Sequence, residues 1–185
     1  INDSSQTSTR LQTFVQCAEC HSKQFDFWRK TPHASAFEVL VHAKADTNKE
    51  CLACHTVGLG SKMGYSEISE LVEWQENEKP MELAPLLKQM RDARSVEGSL
   101  EVGRKARRIH ASVQCENCHT AVGDHPFGME SKVLPVEQKT CLGCHTPARA
   151  PTWYNAEKGG NGELDLEKLK ASFTKMACPR DEPTP

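Results

Sequence analysis

The sequence predicts a mainly α-helical protein with long loops and little or no sheet. Only 37% of its 185 residues are hydrophobic and the mean hydropathy is −0.60, which is thin for a chain long enough to bury a sizeable core. A five-residue pattern with helical spacing also occurs four times. We expect one domain over residues 1–185, with a flexible N-terminus (1–12), a helical insert (66–109) and a disordered tail (179–185).

The repeated pattern is Cys-x-x-Cys-His, found as CAECH (17–21), CLACH (51–55), CENCH (115–119) and CLGCH (141–145). It is the attachment signature of c-type haem, in which both thiols bond to the porphyrin and the imidazole ligates the iron. Positions i, i+3 and i+4 lie on one face of a helical turn, so the three side chains can address one planar cofactor. The sequence therefore predicts four haem c groups, attached through Cys17, Cys20, Cys51, Cys54, Cys115, Cys118, Cys141 and Cys144 and ligated by His21, His55, His119 and His145.

Two other uses of paired cysteines compete with this interpretation. Zinc ribbons pair two such cysteine knuckles, but a zinc site does not require a histidine directly after every second cysteine. A disulfide framework of a secreted protein would scatter its cysteines without that rule. Because all four pairs are followed by histidine, the pattern favours haem over both.

Four porphyrins change the expected core, charge and location of the protein. We expect the haems to form much of the core, with helices and loops as a shell around them. The polypeptide charge of −2, made more negative by haem propionates, argues against nucleic-acid binding and favours partners with cationic docking patches. No segment approaches the roughly 20 apolar residues that span a bilayer. Since covalent haem attachment takes place outside the cytoplasmic membrane, we expect a periplasmic or extracellular protein whose signal peptide has been removed.

The remaining histidines match the remaining axial positions in number. Beyond the four motif histidines the chain has His33, His42, His110 and His125, which permits four bis-histidine haems. Thr31 as N-cap and Pro32 as first helical residue predict a helix over 31–45. His33 and His42 are nine residues apart and lie on opposite faces of it, so they cannot ligate the same haem. We expect this helix to run between two porphyrins.

The other two histidines flank the third motif. His110 precedes it too closely to reach the far face of the same haem, so it is expected to ligate a neighbouring one. His125 lies in AVGDHPFG, a loop bounded by glycine and proline, from which it can reach an adjacent haem.

The segments outside the motifs carry weaker signals. In the insert, ISELVEW, PLLKQM and SLEVGRKARRIH indicate short amphipathic helices, and the last contains the basic residues Arg104, Lys105, Arg107 and Arg108, expected to be solvated, to neutralise propionates or to dock a partner. In the tail, the apolar face of LDLEKLKASFTKM predicts a helix that packs on a haem or on a second copy of the protein. Cys178 is left over from the motifs and is either free or paired between molecules.

Three blocks of the sequence resemble the tetrahaem cytochrome c-554 family of electron carriers. They are CAECHSKQFDFWRKTPHASAF, ECLACHTVGLGSKMGY and VQCENCHTAVGDH, and the resemblance covers roughly residues 15–65 and 112–150. It implies that His33 ligates the third haem opposite His119, and that His125 ligates the first opposite His21. It also implies haems packed in close pairs that form a continuous conducting chain.

The sequence departs from that family in its supply of ligands. The founding member leaves its second haem five-coordinate and takes the distal ligand of its fourth from beyond the fourth motif. This chain has no histidine after His145, so its fourth haem must use His42 or His110, and the other can ligate the second haem. We favour His42 for the fourth haem and His110 for the second.

The predicted function is single-electron transfer, in anaerobic respiration, by an electron carrier that is not an enzyme. Histidine on both sides of each iron leaves no substrate position and gives low potentials. The expected partners are a periplasmic dehydrogenase or quinol-linked cytochrome and a terminal reductase. One alternative is reduction of nitric oxide or a similar molecule, which requires one five-coordinate haem. The other is a dimer or higher oligomer, up to a polymeric haem filament.

Overall fold

The computed structural model describes residues 11–119, 136–155 and 162–180, which form two compact units. The first unit comprises residues 1–134 and 180–185 and contains three of the motifs, and the second comprises 135–179 and contains the fourth. The single domain expected over residues 1–185 stays a prediction. His125 and most of both expected flexible ends lie outside the described residues.

The first unit is mainly helical. Its elements in chain order are α1 (Phe14–Ala18), α2 (Ser22–Trp28), a 3₁₀ turn (Pro32–Ser35), α3 (Ala36–His42), α4 (Lys49–His55), a 3₁₀ turn (Ile68–Glu70), β1 (Val72–Trp74), α5 (Leu83–Asp92), α6 (Val96–Gly103), β2 (Ala106–Ile109) and α7 (Cys115–His119). Helices and loops dominate and the strands are short, so the predicted fold class is confirmed.

The first unit has a core of its own side chains. Phe14, Leu52, Leu86 and Ile109 are fully buried in it, and Phe14 stacks on Trp28 with ring centroids 5.0 Å apart. Helices α5 and α6 pack together and contribute Leu86, Leu87, Met90 and Leu100 to this core. The insert therefore supplies apolar side chains to the core of the first unit.

The insert is α-helical only in its middle. Helices are confirmed at Leu83–Asp92 and Val96–Gly103. The helix expected for ISELVEW is reduced to the 3₁₀ turn Ile68–Glu70, because Val72–Trp74 forms strand β1. The helix expected for the end of SLEVGRKARRIH is wrong, because that segment is strand β2, which pairs antiparallel with β1 and sets Val72 opposite Ile109. Strand β2 is buried at both ends, at Ala106 and Ile109, and Arg107 is exposed between them.

The basic run of the insert is balanced by carboxylates of the chain. Arg108 and Arg107 donate to the two oxygens of Glu73 across the strand pair, at 2.8 and 3.1 Å. Arg104 pairs with Glu97 at 3.0 Å. The sequence missed these partners because Glu73 is more than 30 residues away along the chain.

The start of the histidine-bearing helix is confirmed at Thr31 and Pro32. Thr31 is extended and Pro32 is the first helical residue, but the first turn is 3₁₀ and only Ala36–His42 is α-helical. The expected flexibility of residues 1–12 does not extend to the last two. Leu11 is buried and donates to Met63 O at 2.8 Å, and the Gln12 amide donates to Glu116.

The second unit is built around the fourth motif. It contains α8 (Gln138–Cys141), a 3₁₀ turn (Pro151–Trp153), the antiparallel pair β3 (Tyr154–Asn155) and β4 (Glu163–Leu164), and α9 (Leu166–Met176). Asp165 caps α9 by accepting the amides of Glu167 and Lys168. The predicted tail helix is confirmed, and Leu169 is the residue that it buries, whereas Leu166 is 65% exposed. Among the described residues of both units, no helix is long and apolar enough to cross a membrane.

Candidate functional site

All four motifs adopt the helical turn that their spacing predicts. The second and third lie entirely within α4 and α7. In the first and fourth motifs the helix ends early, but the histidine amide still donates to the carbonyl of the first cysteine at 2.9 Å, from His21 to Cys17 and from His145 to Cys141. Each motif therefore keeps the local geometry that puts two thiols and one imidazole on the same face.

All nine cysteines lie in described segments, and none of them forms a disulfide. Those of the first and third motifs come together: Cys17 and Cys115 hydrogen-bond through their side chains, which lowers the pKa of the Cys17 thiol. The histidines of these two motifs, His119 and His21, are also close to each other. Burial lowers the pKa of His119, and the nearby charge of His21 lowers it further. Two motifs that are about a hundred residues apart in sequence thus share one neighbourhood.

The imidazole of the second motif is oriented by a backbone carbonyl. His55 Nδ1 lies 2.6 Å from Ala36 O, and because a carbonyl can only accept, Nδ1 carries the proton. The lone pair is then on Nε2, the nitrogen available to a metal. A second-sphere hydrogen bond of this kind is usual for histidines that ligate metal ions.

His110 is held in the same tautomer. It is 4% exposed, and its Nδ1 lies 3.1 Å from Val57 O, two residues beyond His55. Burial is the main reason that the pKa of His110 lies below its ordinary value, so the ring is neutral near pH 7. Tyr65 packs against this ring with centroids 5.2 Å apart. His110 is therefore a buried, neutral imidazole with Nε2 able to donate a lone pair.

The remaining predicted ligands occupy different environments. His33 is half-buried in the 3₁₀ turn, and its carbonyl accepts from the Val113 amide at 3.2 Å. His42 is exposed at the last residue of α3. The structure places His33 beside the segment that leads into the third motif.

The residue before the third motif is a polar hub that the sequence did not reveal. Gln114 is 2% exposed, and its side-chain oxygen accepts from the Phe14 amide at 2.8 Å. Its side-chain nitrogen donates to Ile109 O and Ala111 O at 2.6 and 2.7 Å. All three of these hydrogen bonds go to backbone groups, so Gln114 joins the start of α1 to the end of β2.

The two variable residues inside the third motif also make long-range contacts. Glu116 is buried and accepts from the Gln12 amide at 3.2 Å. Asn117 donates to Thr56 O at 3.0 Å, directly after His55. The only signal in the sequence was that both residues between the cysteines of this motif are polar, as Glu and Asn. Their hydrogen bonds connect the third motif to the segment before the first motif and to the residue after the second.

A glycine-dependent loop supports the second motif. Gly58 has φ +84°, a backbone conformation that suits glycine. A Cβ on Gly64 would lie 2.0 Å from Gly58 O, so the two ends of the loop can approach only because Gly64 has no side chain. The loop ends at Tyr65, whose hydroxyl lies 2.6 Å from Thr56 Oγ1. This packing holds Tyr65 against His110.

In the second unit, the motif histidine is held by residues that follow it closely. The rings of His145 and Trp153 stack with centroids 4.4 Å apart and planes 12° apart. Tyr154 donates its hydroxyl proton to His145 O at 2.8 Å. Burial lowers the pKa of His145 and raises that of Cys141.

These features fit covalent haem better than the other chemistries of paired cysteines. No disulfide joins the motif cysteines, each histidine lies on the helical face of its cysteines, and His55 and His110 both direct Nδ1 at a backbone carbonyl, which leaves Nε2 for iron. In the part of the chain that the structure describes, no three His, Cys, Asp or Glu side chains cluster as a metal site. The residues that would hold haem c are the four motifs, with the distal histidines as second ligands.

Comparison with known proteins gives a partial match. Residues 16–78 match the model of the family described as cytochrome c554 and c-prime. Cytochrome c-554 of Nitrosomonas europaea is 35% identical over 66 residues, covering 28% of each chain. The match thus spans little more than a quarter of that relative's length. No solved structure matches.

Proposed function

We propose that this chain, which is related to the cytochrome c-554 family over residues 16–78, is an exported electron carrier with four covalently bound haem c groups. The observation that carries the proposal is the helical turn that all four Cys-x-x-Cys-His motifs adopt, which puts each histidine on the face of its two cysteines. Thioether attachment would use all eight motif cysteines, with His21, His55, His119 and His145 as proximal ligands.

The distal ligands are proposed as bis-histidine partners. His33 would pair with His119, and His125 with His21. His110 would serve the second haem and His42 the fourth. The proximity of His110 to Val57, two residues after His55, supports its assignment to the second motif.

When bound, haem c supplies a one-electron Fe(III)/Fe(II) couple. The residues of the chain set the conditions for it. Two histidines held at each haem would leave no place for a substrate, and histidine would favour a lower potential than methionine does. The carbonyl of Ala36 fixes the orientation of His55, and the carbonyl of Val57 fixes that of His110. Because these two imidazoles are already held in place, little rearrangement of the protein would accompany the arrival of an electron.

The proposed partners are other redox proteins. A periplasmic dehydrogenase or a quinol-linked cytochrome would donate electrons, and a terminal reductase would accept them. The polypeptide charge of −2 becomes more negative with propionates, which favours partners with cationic docking surfaces.

The exposed position of His42 supports a second candidate function. Without His42 the fourth motif would hold a haem through Cys141, Cys144 and His145 alone. Such a haem would supply a site for binding and reduction of nitric oxide or a similar small molecule.

Low-temperature EPR of the oxidised holoprotein, together with a pyridine haemochrome assay, tests the proposal. We expect four haems per polypeptide, four low-spin irons, no high-spin signal and no binding of carbon monoxide after reduction. His110→Ala should convert one iron to high spin, and His42→Ala should convert another. Fewer than four haems would refute the proposal, and a high-spin signal in the wild-type protein would favour the second candidate.

A further inference from the structure

We infer that Ser112 is a positioning residue that sets the ligand geometry of two haem sites at once. The inference rests on the proposed function, because it assigns His33 to the third haem and His55 to the second. It concerns a residue outside every motif and outside the eight histidines.

Ser112 has a backbone conformation that a serine seldom adopts. Its φ is +72°, in the left-handed region, and its side chain is 0% exposed. For a residue with a Cβ this conformation is disfavoured, and it persists only where surrounding contacts determine it. Such residues cluster at functional sites, and the contacts that hold Ser112 show which site it serves.

Those contacts all lead to one helical turn. Ser112 Oγ donates to Ala34 O at 2.8 Å and accepts from the Phe37 amide at 3.4 Å. The next residue, Val113, donates its amide to His33 O at 3.2 Å. Here the 3₁₀ turn Pro32–Ser35 passes into α3, so the backbone changes its bonding pattern at the point where the serine attaches.

The turn that Ser112 holds carries one group for each of two proposed haem sites. His33 lies in it and is the proposed ligand opposite His119. Three residues later, Ala36 O accepts the Nδ1 proton of His55 at 2.6 Å. A shift of this turn would therefore move the third-haem ligand and the hydrogen bond to the second-haem ligand together.

The direction of the effect on the second haem follows from that hydrogen bond. A strong bond from Nδ1–H gives the imidazole anionic character, which makes it a better donor and stabilises the ferric state. A longer bond weakens this stabilisation and raises the reduction potential. The effect on the third haem is instead a rotation of the His33 ring, which EPR g values report.

The test is Ser112→Ala in the holoprotein, with Ser99→Ala as matched control. Ser99 is also fully buried and donates its hydroxyl hydrogen bond to Met90 O at 2.7 Å, in α5 and not in the histidine-bearing turn. We expect Ser112→Ala to change two of the four low-spin EPR signals and to move one potentiometric wave to a more positive value. Ser99→Ala should leave all signals and waves at their wild-type positions.

Two further variants keep the outcome interpretable. Ser112→Gly relieves the positive φ while removing the hydroxyl, so it should fold even if Ser112→Ala does not, and it should show the same two spectral changes. His33→Ala identifies the third-haem signal by removing it. Wild-type spectra and potentials in Ser112→Gly, with the third signal lost in His33→Ala, would overturn the inference and leave the proposed function standing. An unchanged spectrum in His33→Ala would instead refute the ligand assignment, and the inference with it.

Discussion

The first unit and the second unit hold their motifs in different ways. In the first, the third motif is tied to segments far away in sequence: Gln114 to Phe14, and Asn117 to the carbonyl of Thr56. In the second, His145 is held by Trp153 and Tyr154, eight and nine residues further along. Three motifs thus depend on tertiary folding, whereas the fourth depends mainly on its own neighbourhood.

This difference has a physical consequence. Long-range contacts lose their effect together when the unit unfolds, so the first three sites should respond as one cooperative body. Short-range contacts can open locally with little effect elsewhere. The following predictions test whether the two units differ in this way, from the largest expected effect to the smallest.

The largest effect is expected at the centre of the first unit's core. Phe14 is fully buried and stacks on Trp28, so Phe14→Ala should lower the free energy of unfolding by about 3–5 kcal/mol. Urea denaturation followed by circular dichroism measures this change. Leu166→Ala in the second unit, where the side chain is 65% exposed, is the control and should change stability by less than about 0.5 kcal/mol. Equal losses in both variants would contradict the contrast between the units.

The next effect concerns the polar hub before the third motif. Gln114→Ala removes the partners of the Phe14 amide and of two buried carbonyls, so it should cost roughly 3 kcal/mol. Gln138, an exposed glutamine of α8, provides the matched variant Gln138→Ala, which should be close to neutral. A stability loss that is the same for both glutamines would show that the hub does not hold the first unit.

A smaller and more local effect is expected in the second unit. Trp153→Leu removes the ring that stacks on His145, and stacked aromatic pairs contribute about 1 kcal/mol beyond their buried area. We expect a small loss of stability and a change in a single low-spin EPR signal, identified as the one that Cys141→Ala/Cys144→Ala removes. Trp153→Phe keeps a stacking ring and should restore most of the signal. A change in several signals would mean that the fourth site is not local.

The smallest effect is a difference in acid sensitivity. Burial by itself raises the pKa of Glu73, but hydrogen bonds and charges from Arg108 and Arg107 outweigh it and hold the pKa below its ordinary value of 4.5. The stabilisation is therefore complete above about pH 4.5 and is lost as the pH falls through the lower folded-state pKa. Asp165 behaves similarly in the second unit, since hydrogen bonds from Lys168 lower its pKa.

Single substitutions separate the two acid responses. Glu73→Gln should flatten the acid limb of the stability curve for the first unit, and Asp165→Asn, which can still cap α9, should do so for the second. Fluorescence-monitored unfolding between pH 3 and 7 measures both. Glu101→Gln, on the exposed surface of α6, serves as control. Curves that keep the wild-type slope in Glu73→Gln would show that the strand pair makes no acid-sensitive contribution.

Part of the fold was predictable from short-range patterns. The helix start at Thr31 and Pro32, the helices at 83–92 and 96–103 and the tail helix at 166–176 follow from caps and apolar periodicity. The strand pair was not predictable, because ISELVEW has an apolar pattern that also suits a helix. Pairing with residues 106–109 decided the matter, since Val72 and Ile109 face each other across the ladder.

The sequence by itself determined which cysteines and histidines stand together in each motif. Two thiols and an imidazole at i, i+3 and i+4 share a face of any helical turn, so the pentapeptide contains all the information needed, whatever surrounds it. The tertiary structure decided which groups surround each imidazole. The carbonyls that orient His55 and His110 lie 19 and 53 residues away along the chain, and Ser112 reaches its turn across 78 residues. No local pattern encodes such partners, because they meet only when the core around Phe14 and Ile109 closes.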